Sequence, residues 1–140
     1  MCIRDRFKKG IDATLGEDDA QAHYDLGVAF KEMGLLDEAI AEFQKALRSQ
    51  DMRIRTAESL GVCFFEKGQP AVAGTVLRRA IEQDSAADDN KIGLLYWLGR
   101  CEEEQGKMGE ALANYQRVFA LDIRFQDVSE RVKSLAKAVR

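Results

Sequence analysis

Apolar residues recur along this chain of 140 residues at helical spacing, and glycines interrupt them at regular intervals. Leu26, Phe30 and Met33 are three or four positions apart, which places them on one face of a helix. Gly34 follows, and a second apolar run with the same period begins at Leu36. Glycine adopts the positive φ that ends many helices. The pattern therefore predicts two helices joined by a short turn.

This pattern returns twice along the chain. Every matched residue of the second copy lies the same number of positions after its counterpart in the first copy, and the third copy follows the second at a spacing that is four residues longer. The first step relates Leu26 to Leu60, Gly27 to Gly61, Phe30 to Phe64, Gly34 to Gly68, Ala39 to Ala73, Phe43 to Leu77 and Ala46 to Ala80. The second step leads to Leu98, Gly99, Gly106, Ala111, Tyr115 and Val118. The four extra residues are expected between copies, at 88–91. We predict first helices near 20–33, 54–67 and 88–105, and second helices near 36–49, 70–83 and 108–121.

Three repeated glycines, Gly27, Gly61 and Gly99, fall inside predicted helices. Glycine there costs up to about 1 kcal/mol relative to alanine. Its recurrence predicts a close approach of the two helices of each unit. The small surface on the facing helix is expected to come from Ala39, Ala73 and Ala111.

These residues resemble the tetratricopeptide repeat (TPR) family, whose unit is about 34 residues long. The stretch YDLGVAFKEMGLLDEAIAEF, residues 24–43, is similar to repeats of bacterial TPR proteins. The resemblance implies an all-α, right-handed solenoid of three helix-turn-helix repeats at 20–53, 54–87 and 88–125. The family's late proline is missing, since Asp51, Ser85 and Ile123 stand there. The third unit is the least typical, with Glu102 and Val118 at positions where the family prefers an aromatic residue and alanine.

Both ends of a repeat array expose an apolar face that needs a cap. Residues 126–140 are predicted to form a C-terminal capping helix with Val128, Val132, Leu135 and Val139 on its apolar face and Glu130, Arg131, Lys133 and Lys137 on its polar face. Residues 7–19 are predicted to form an N-terminal capping helix, because Phe7, Ile11 and Leu15 are spaced by four. Residues 1–6 resemble translated adapter sequence, so we interpret them as non-native and expect the native start to be missing.

Composition narrows the class of protein. Hydrophobic residues make up 46% and charged residues 32%, as in globular domains. With a net charge of −3, the chain has no overall field to attract nucleic acid, and no apolar run is long enough for membrane insertion. The three cysteines lack metal-site spacing, and Cys63 and Cys101 are predicted to be reduced core residues. A cytoplasmic location is expected.

Recognisable catalytic chemistry is missing from the sequence. The single histidine, His23, has no neighbouring cluster of ligands, so packing against the next helix is favoured over a catalytic or metal role. No phosphate-binding loop or nucleophile–histidine pair is present. We therefore predict no enzyme, no cofactor and no metal.

The resemblance implies that the first helix of each unit lines a concave groove, which is where a partner would bind. The predicted partner-binding residues are Tyr24, Val28, Lys31, Arg55, Val62, Phe65, Tyr96, Trp97 and Arg100. The alternative for the aromatic residues is packing between neighbouring first helices. Over all groove positions, six acidic residues outnumber three basic ones. This balance predicts a protein or peptide segment with apolar anchors and basic residues, held partly by cation–π contacts.

Some TPR domains with three repeats bind the C-terminal carboxylate of chaperones through lysine, arginine and asparagine. The corresponding positions here hold Tyr24, Val28, Ser59, Gly93 and Trp97. None matches, so this sequence argues against that activity. The leading hypothesis is a protein–protein interaction module that scaffolds a bacterial assembly. The alternative is a structural or self-associating domain, a homo-oligomer whose terminal helices pair with another copy; an enzyme is the remotest hypothesis.

Overall fold

The computed structural model describes residues 19–85 and 87–139. These residues form α-helices and short 3₁₀ turns, and no strand occurs among them. The seven helices are Ala20–Glu32 (α1), Leu36–Ala46 (α2), Arg53–Glu66 (α3), Pro70–Gln83 (α4), Ile92–Glu104 (α5), Met108–Leu121 (α6) and Val128–Ala138 (α7). The prediction of an all-α chain of paired helices is confirmed.

Asp19 is the first residue that the structure describes. The carboxylate of Asp19 accepts a hydrogen bond from the backbone N–H of Ala22 at 3.1 Å. Asp19 thus caps α1, because it satisfies one of the free N–H groups of the first turn. The predicted segment 1–6 and the rest of the predicted capping helix 7–19 lie outside the described residues, as does Cys2.

Glycine ends the first helix of each unit, as predicted. Gly34, Gly68 and Gly106 have φ values of 79°, 80° and 79°. Immediately after the first of them, the N–H of Leu35 donates to the carbonyl of Phe30 at 2.9 Å. This hydrogen bond satisfies a carbonyl at the end of the helix. It requires the left-handed backbone conformation at Gly34, which glycine adopts at little cost.

The mid-helix glycines also lie at close approaches, but their neighbours differ from those predicted. Each glycine faces a large side chain of the second helix rather than an alanine. A Cβ would lie 2.6 Å from Phe43 at Gly27, 2.7 Å from Leu77 at Gly61 and 2.7 Å from Tyr115 at Gly99. The glycines thus make room for bulky core residues. Ala39, Ala73 and Ala111 are fully buried, but they are not the groups nearest the glycines.

The four-residue insertion before the third unit differs from the prediction in its geometry. Residues Asp88–Lys91 form a 3₁₀ turn, and α5 begins only at Ile92. Lys91 is buried, and its ammonium donates to the carbonyls of Ile81 and Asp84 at 3.1 and 2.5 Å. These carbonyls lie at the C-terminal end of α4, where a cation is favoured. The insertion thus ends one unit as it begins the next.

Each helix packs on its neighbours in the chain, and the first helices α1, α3 and α5 also contact one another in order. Residues from α1–α4 form one cluster around Phe43, and residues from α3–α5 form a second around Leu77. The third cluster, around Tyr115, is covered by Val128 and Leu135 of α7. The core is therefore a continuous series of layers, as in a solenoid.

Hydrogen bonds fix α7 against the third unit. The hydroxyl of Tyr96 donates to Asp127 at 2.6 Å, and Arg131 donates to both Asp127 and Glu103 at 2.9 Å. Arg131 was predicted on the outer polar face but points inward. Val139 was predicted on the apolar face but follows the end of α7 and is exposed.

Both described cysteines are free and fully buried in the core. Burial raises the pKa of the Cys63 thiol to about 11 and that of the Cys101 thiol to about 12. The thiolates are therefore scarce at neutral pH, which supports a packing role. Among the described helices, none combines the length and apolar character that a membrane span requires.

Candidate functional site

A hollow of about 310 Å³ opens between α1, α3 and α5, and we call it the groove hollow. Its lining residues are Val28, Lys31, Glu32, Phe43, Glu58, Ser59, Val62 and Trp97. Four of the predicted binding residues, Val28, Lys31, Val62 and Trp97, are thus brought together by three separate helices.

The apolar part of the groove hollow consists of Val28, Val62, the indole of Trp97 and the ring of Phe43. Phe43 was not predicted here, because it lies on α2 and occupies a core position. Its ring reaches the hollow by lying directly against the backbone of Gly27. In the sequence, the repeated Gly27 was therefore the signal that a side chain of the second helix reaches the groove hollow.

Neither acidic residue of the hollow, Glu32 or Glu58, belongs to the predicted set, and the more buried of the two is Glu58. It is half-buried, and burial raises the pKa of its carboxyl above the ordinary value. It makes no hydrogen bond or ion pair with a residue that the structure describes. A Cβ on Gly93 would clash with its carboxylate, so the bare backbone of α5 gives Glu58 its space.

The charges at the hollow sum to −1, because Glu32 and Glu58 face one lysine, Lys31. The ammonium of Lys31 lies 3.7 Å from the carboxylate of Glu66, an exposed residue outside the lining. Lys31 is therefore partly neutralised, while Glu58 is not. The hollow favours a positively charged group over a negatively charged one.

Phe65, Trp97 and Arg100 form a stack beside the hollow. The rings of Phe65 and Trp97 are 5.5 Å apart, edge to face. The guanidinium of Arg100 lies 5.1 Å from the centre of the Phe65 ring and 5.3 Å from that of Trp97. A cation of this chain thus already occupies the ring faces that were predicted to receive a ligand cation.

Tyr24 and Arg55 form a second pair of the same kind. The guanidinium of Arg55 lies 5.3 Å from the centre of the Tyr24 ring, and that ring packs on Phe43 at 5.6 Å. The Tyr24 hydroxyl lies 3.4 Å from the hydroxyl of Ser59. Neither Tyr24 nor Arg55 lines the groove hollow.

Tyr96 offers no surface to a partner, which corrects its predicted role. Only 3% of the residue is exposed. Its ring packs on Tyr115 and on Phe125, which lies between α6 and α7. Sequence reasoning did not place Phe125 here because this last residue of the third repeat is not one of the recurring apolar positions.

His23 occupies a buried structural site, as favoured from the sequence. Its Nδ1 lies 2.7 Å from a carboxylate oxygen of Glu42, and both side chains are buried. Lys45 donates to the other oxygen of Glu42 at 3.3 Å. Within the part of the chain that the structure describes, no three histidine, cysteine or acidic residues group as metal ligands.

Comparison with known proteins identifies the repeats. Tetratricopeptide repeat family models match residues 20–51 and residues 94–121. Both stretches are similar to tetratricopeptide repeats. A search among curated proteins finds no match. The two matched stretches correspond to the α1–α2 pair and to most of the α5–α6 pair, and the first step of the repeated pattern relates α3–α4 to the first of them.

Solved structures show the same fold. The first TPR domain of Spaghetti (RPAP3), bound to the HSP90 peptide SRMEEVD, has a TM-score of 0.78 at 18% identity, covering 89% of this chain and 96% of that one. The TPR2AB domain of yeast Sti1 in its HSP90 complex has a TM-score of 0.76 at 22% identity, covering 89% and 48%. YrrB, a TPR protein with an unusual peptide-binding site, has a TM-score of 0.70 at 24% identity, covering 86% and 60%.

Proposed function

We propose that this chain is a non-catalytic interaction module that binds a protein segment in the groove hollow. The observation that carries the proposal is the pairing of apolar walls with the unpaired carboxylate of Glu58. The solved TPR structures in complex with peptides support binding of this kind for the fold. The predicted scaffold role, bacterial origin and cytoplasmic location stay predictions.

The segment carries a lysine or arginine next to apolar anchors. Its aliphatic side chains pack on Val28, Val62 and Trp97, and its cation pairs with Glu58. Arg55 and Arg100 already cover the aromatic ring faces. The ligand's positive charge is therefore attracted by the carboxylates of the hollow and not by the rings. The acidic peptide SRMEEVD of the RPAP3 complex would meet Glu32 and Glu58 instead of a cationic clamp. We expect micromolar affinity for a full segment, about −8 kcal/mol.

Trp97 supplies the assay, since it is the chain's single tryptophan and lines the hollow. Titration of Trp97 emission with the capped peptides Ac-GLKKLG-amide and Ac-GLQQLG-amide compares a basic ligand with a neutral one of similar size. We expect the lysine peptide to bind about tenfold more tightly, because a charge-assisted hydrogen bond is worth roughly 1.5–3 kcal/mol. The Glu58→Gln variant should remove this difference.

Glu82→Gln is the matched control, because Glu82 is an exposed residue of α4 outside the hollow. It carries the same loss of charge and should keep the preference for lysine. Equal binding of the two peptides by the unaltered protein would contradict the proposal. So would an unchanged lysine preference in the Glu58→Gln variant.

The alternative function is self-association through the C-terminal end of the stack. Leu121 and Ile123 are 41% and 58% exposed there, and Phe119 is 37% exposed. These apolar residues favour contact with a second copy. Sedimentation equilibrium over a range of protein concentrations tests it, and the triple change of these residues to serine should shift any dimer to monomer.

A further inference from the structure

A second hollow lies on another side of the helix stack, and we call it the arginine hollow. It has a volume of about 270 Å³ and is built by Leu47 just after α2, the start of α3 and the part of α4 from Thr75 to Gln83. Its lining residues are Leu47, Arg53, Ala57, Thr75, Val76, Arg79, Ala80 and Gln83. It shares no lining residue with the groove hollow.

The two arginines of this hollow have no ion-pair partner in the part of the chain that the structure describes. Neither Arg53 nor Arg79 makes a hydrogen bond or ion pair with a residue that the structure describes. The lining contains no carboxylate, although the chain as a whole has a net charge of −3. Arg53 also stands at the first residue of α3, where the helix dipole disfavours a cation. An anion in the hollow would pair with both guanidinium groups and offset the unfavourable interaction of Arg53 with the helix dipole.

The apolar floor of the hollow indicates which kind of chemical group accompanies the anion. Leu47 and Val76 are partly exposed, and Ala57 and Ala80 are buried beneath the opening. This apolar surface suits an aliphatic side chain next to the charged group. Two arginines on a chain of net negative charge do not neutralise the many phosphates that hold a protein on nucleic acid. A carboxylate in a protein segment fits both the charge and the floor.

We propose that the arginine hollow binds an acidic protein segment in which a glutamate or aspartate neighbours an aliphatic residue. The guanidinium groups of Arg53 and Arg79 hold the carboxylates, because arginine donates two parallel hydrogen bonds to such a group. The aliphatic side chain packs on Leu47 and Val76. The site is independent of the groove hollow, so one chain carries two surfaces of opposite charge preference.

Isothermal titration of the full chain with Ac-GLEELG-amide tests the proposal, with Ac-GLQQLG-amide as the neutral comparison. We expect the acidic peptide to bind at least tenfold more tightly. Arg53→Gln and Arg79→Gln should each weaken it about tenfold, which corresponds to one charge-assisted hydrogen bond. Backbone amide shifts on binding should centre on Ala57, Val76 and Ala80, while Trp97 emission stays constant.

Arg124→Gln is the matched control, since Arg124 is exposed and lies outside both hollows. It removes the same charge and should leave the affinity within twofold. Equal affinity of the acidic and neutral peptides would overturn the proposal, as would unchanged binding by the Arg53→Gln and Arg79→Gln variants. A change of Trp97 emission on binding would place the acidic peptide in the groove hollow and overturn it too. So would a dimer that these variants abolish, because a second copy would then be the occupant.

Discussion

Gly61 shows at the scale of one residue how this sequence sets the distance between helices. It lies in the middle of α3, and Leu77 of α4 fills the space in front of it. An added Cβ would lie 2.7 Å from Leu77 Cδ2. The sequence predicted the close approach, because the same glycine recurs in three units. The sequence did not identify Leu77 as the residue that fills this space, because a glycine leaves room for any side chain on the facing helix.

We predict that Gly61→Leu destabilises the protein by about 2–3 kcal/mol, the upper range for an overpacked core. Gly61→Ala should be milder, because Leu77 is flexible and alanine gains up to about 1 kcal/mol in helix propensity. Chemical denaturation measures both. Gly109→Ala is the control: a Cβ there meets nothing within 4 Å, so this change should be neutral or stabilising. A Gly61→Leu protein as stable as the original would show that the close approach is absent.

Helix α7 shows what one element adds to the repeats. Arg131 of α7 donates a hydrogen bond to Glu103 of α5. Asp127, the residue just before α7, accepts a hydrogen bond from the Tyr96 hydroxyl. Burial opposes ionisation of Asp127, but the hydrogen bonds from Tyr96 and Arg131 outweigh it and lower the pKa of this carboxyl. The charged form of Asp127 is therefore favoured in the folded state.

A lowered pKa in the folded state gives a definite sign for the pH dependence. Asp127 contributes stability above the ordinary aspartate pKa of 3.8, and the contribution is lost as pH falls through the lower, folded-state value. We predict that Asp127→Asn lowers the urea midpoint at pH 6 and has a much smaller effect at pH 2.

Comparison of variant and original protein at each pH is necessary, because other carboxyls act in the opposite sense. Burial raises the pKa values of Glu58 and Glu102, so their effect on stability becomes less favourable as pH rises. Asp89→Asn is the matched control, since Asp89 is exposed before α5. An equal effect of Asp127→Asn at both pH values would show that its charge does not hold α7.

On the scale of the whole molecule, repetition made most of the fold predictable. Local spacing and the repeat step placed all six repeat helices within a few positions of their bounds. Errors arose where contacts cross between units or involve unrepeated segments. Tyr96 is buried by Phe125, and Arg100 covers the Phe65 ring from the next unit. Such contacts depend on how units stack, which the sequence of one unit does not contain.

Stacking also predicts how the molecule opens. Each unit packs mainly on its neighbours in the chain, so the effect of a lost cap should fade with distance. Val128 and Leu135 are the buried residues of α7, and they cover the cluster around Tyr115. Changing both to alanine should loosen α7 without altering any residue of the repeats.

We predict that Val128→Ala with Leu135→Ala lowers amide hydrogen-exchange protection in α5 and α6 by at least tenfold and leaves α1 and α2 nearly unchanged. The physical reason is that the third unit loses its cover, whereas the first unit keeps all its neighbours. Val72→Ala with Val139→Ala is the control, because both residues are exposed. An equal loss of protection in every helix would mean that the stack opens as one cooperative unit, and the nearest-neighbour account of this array would be wrong.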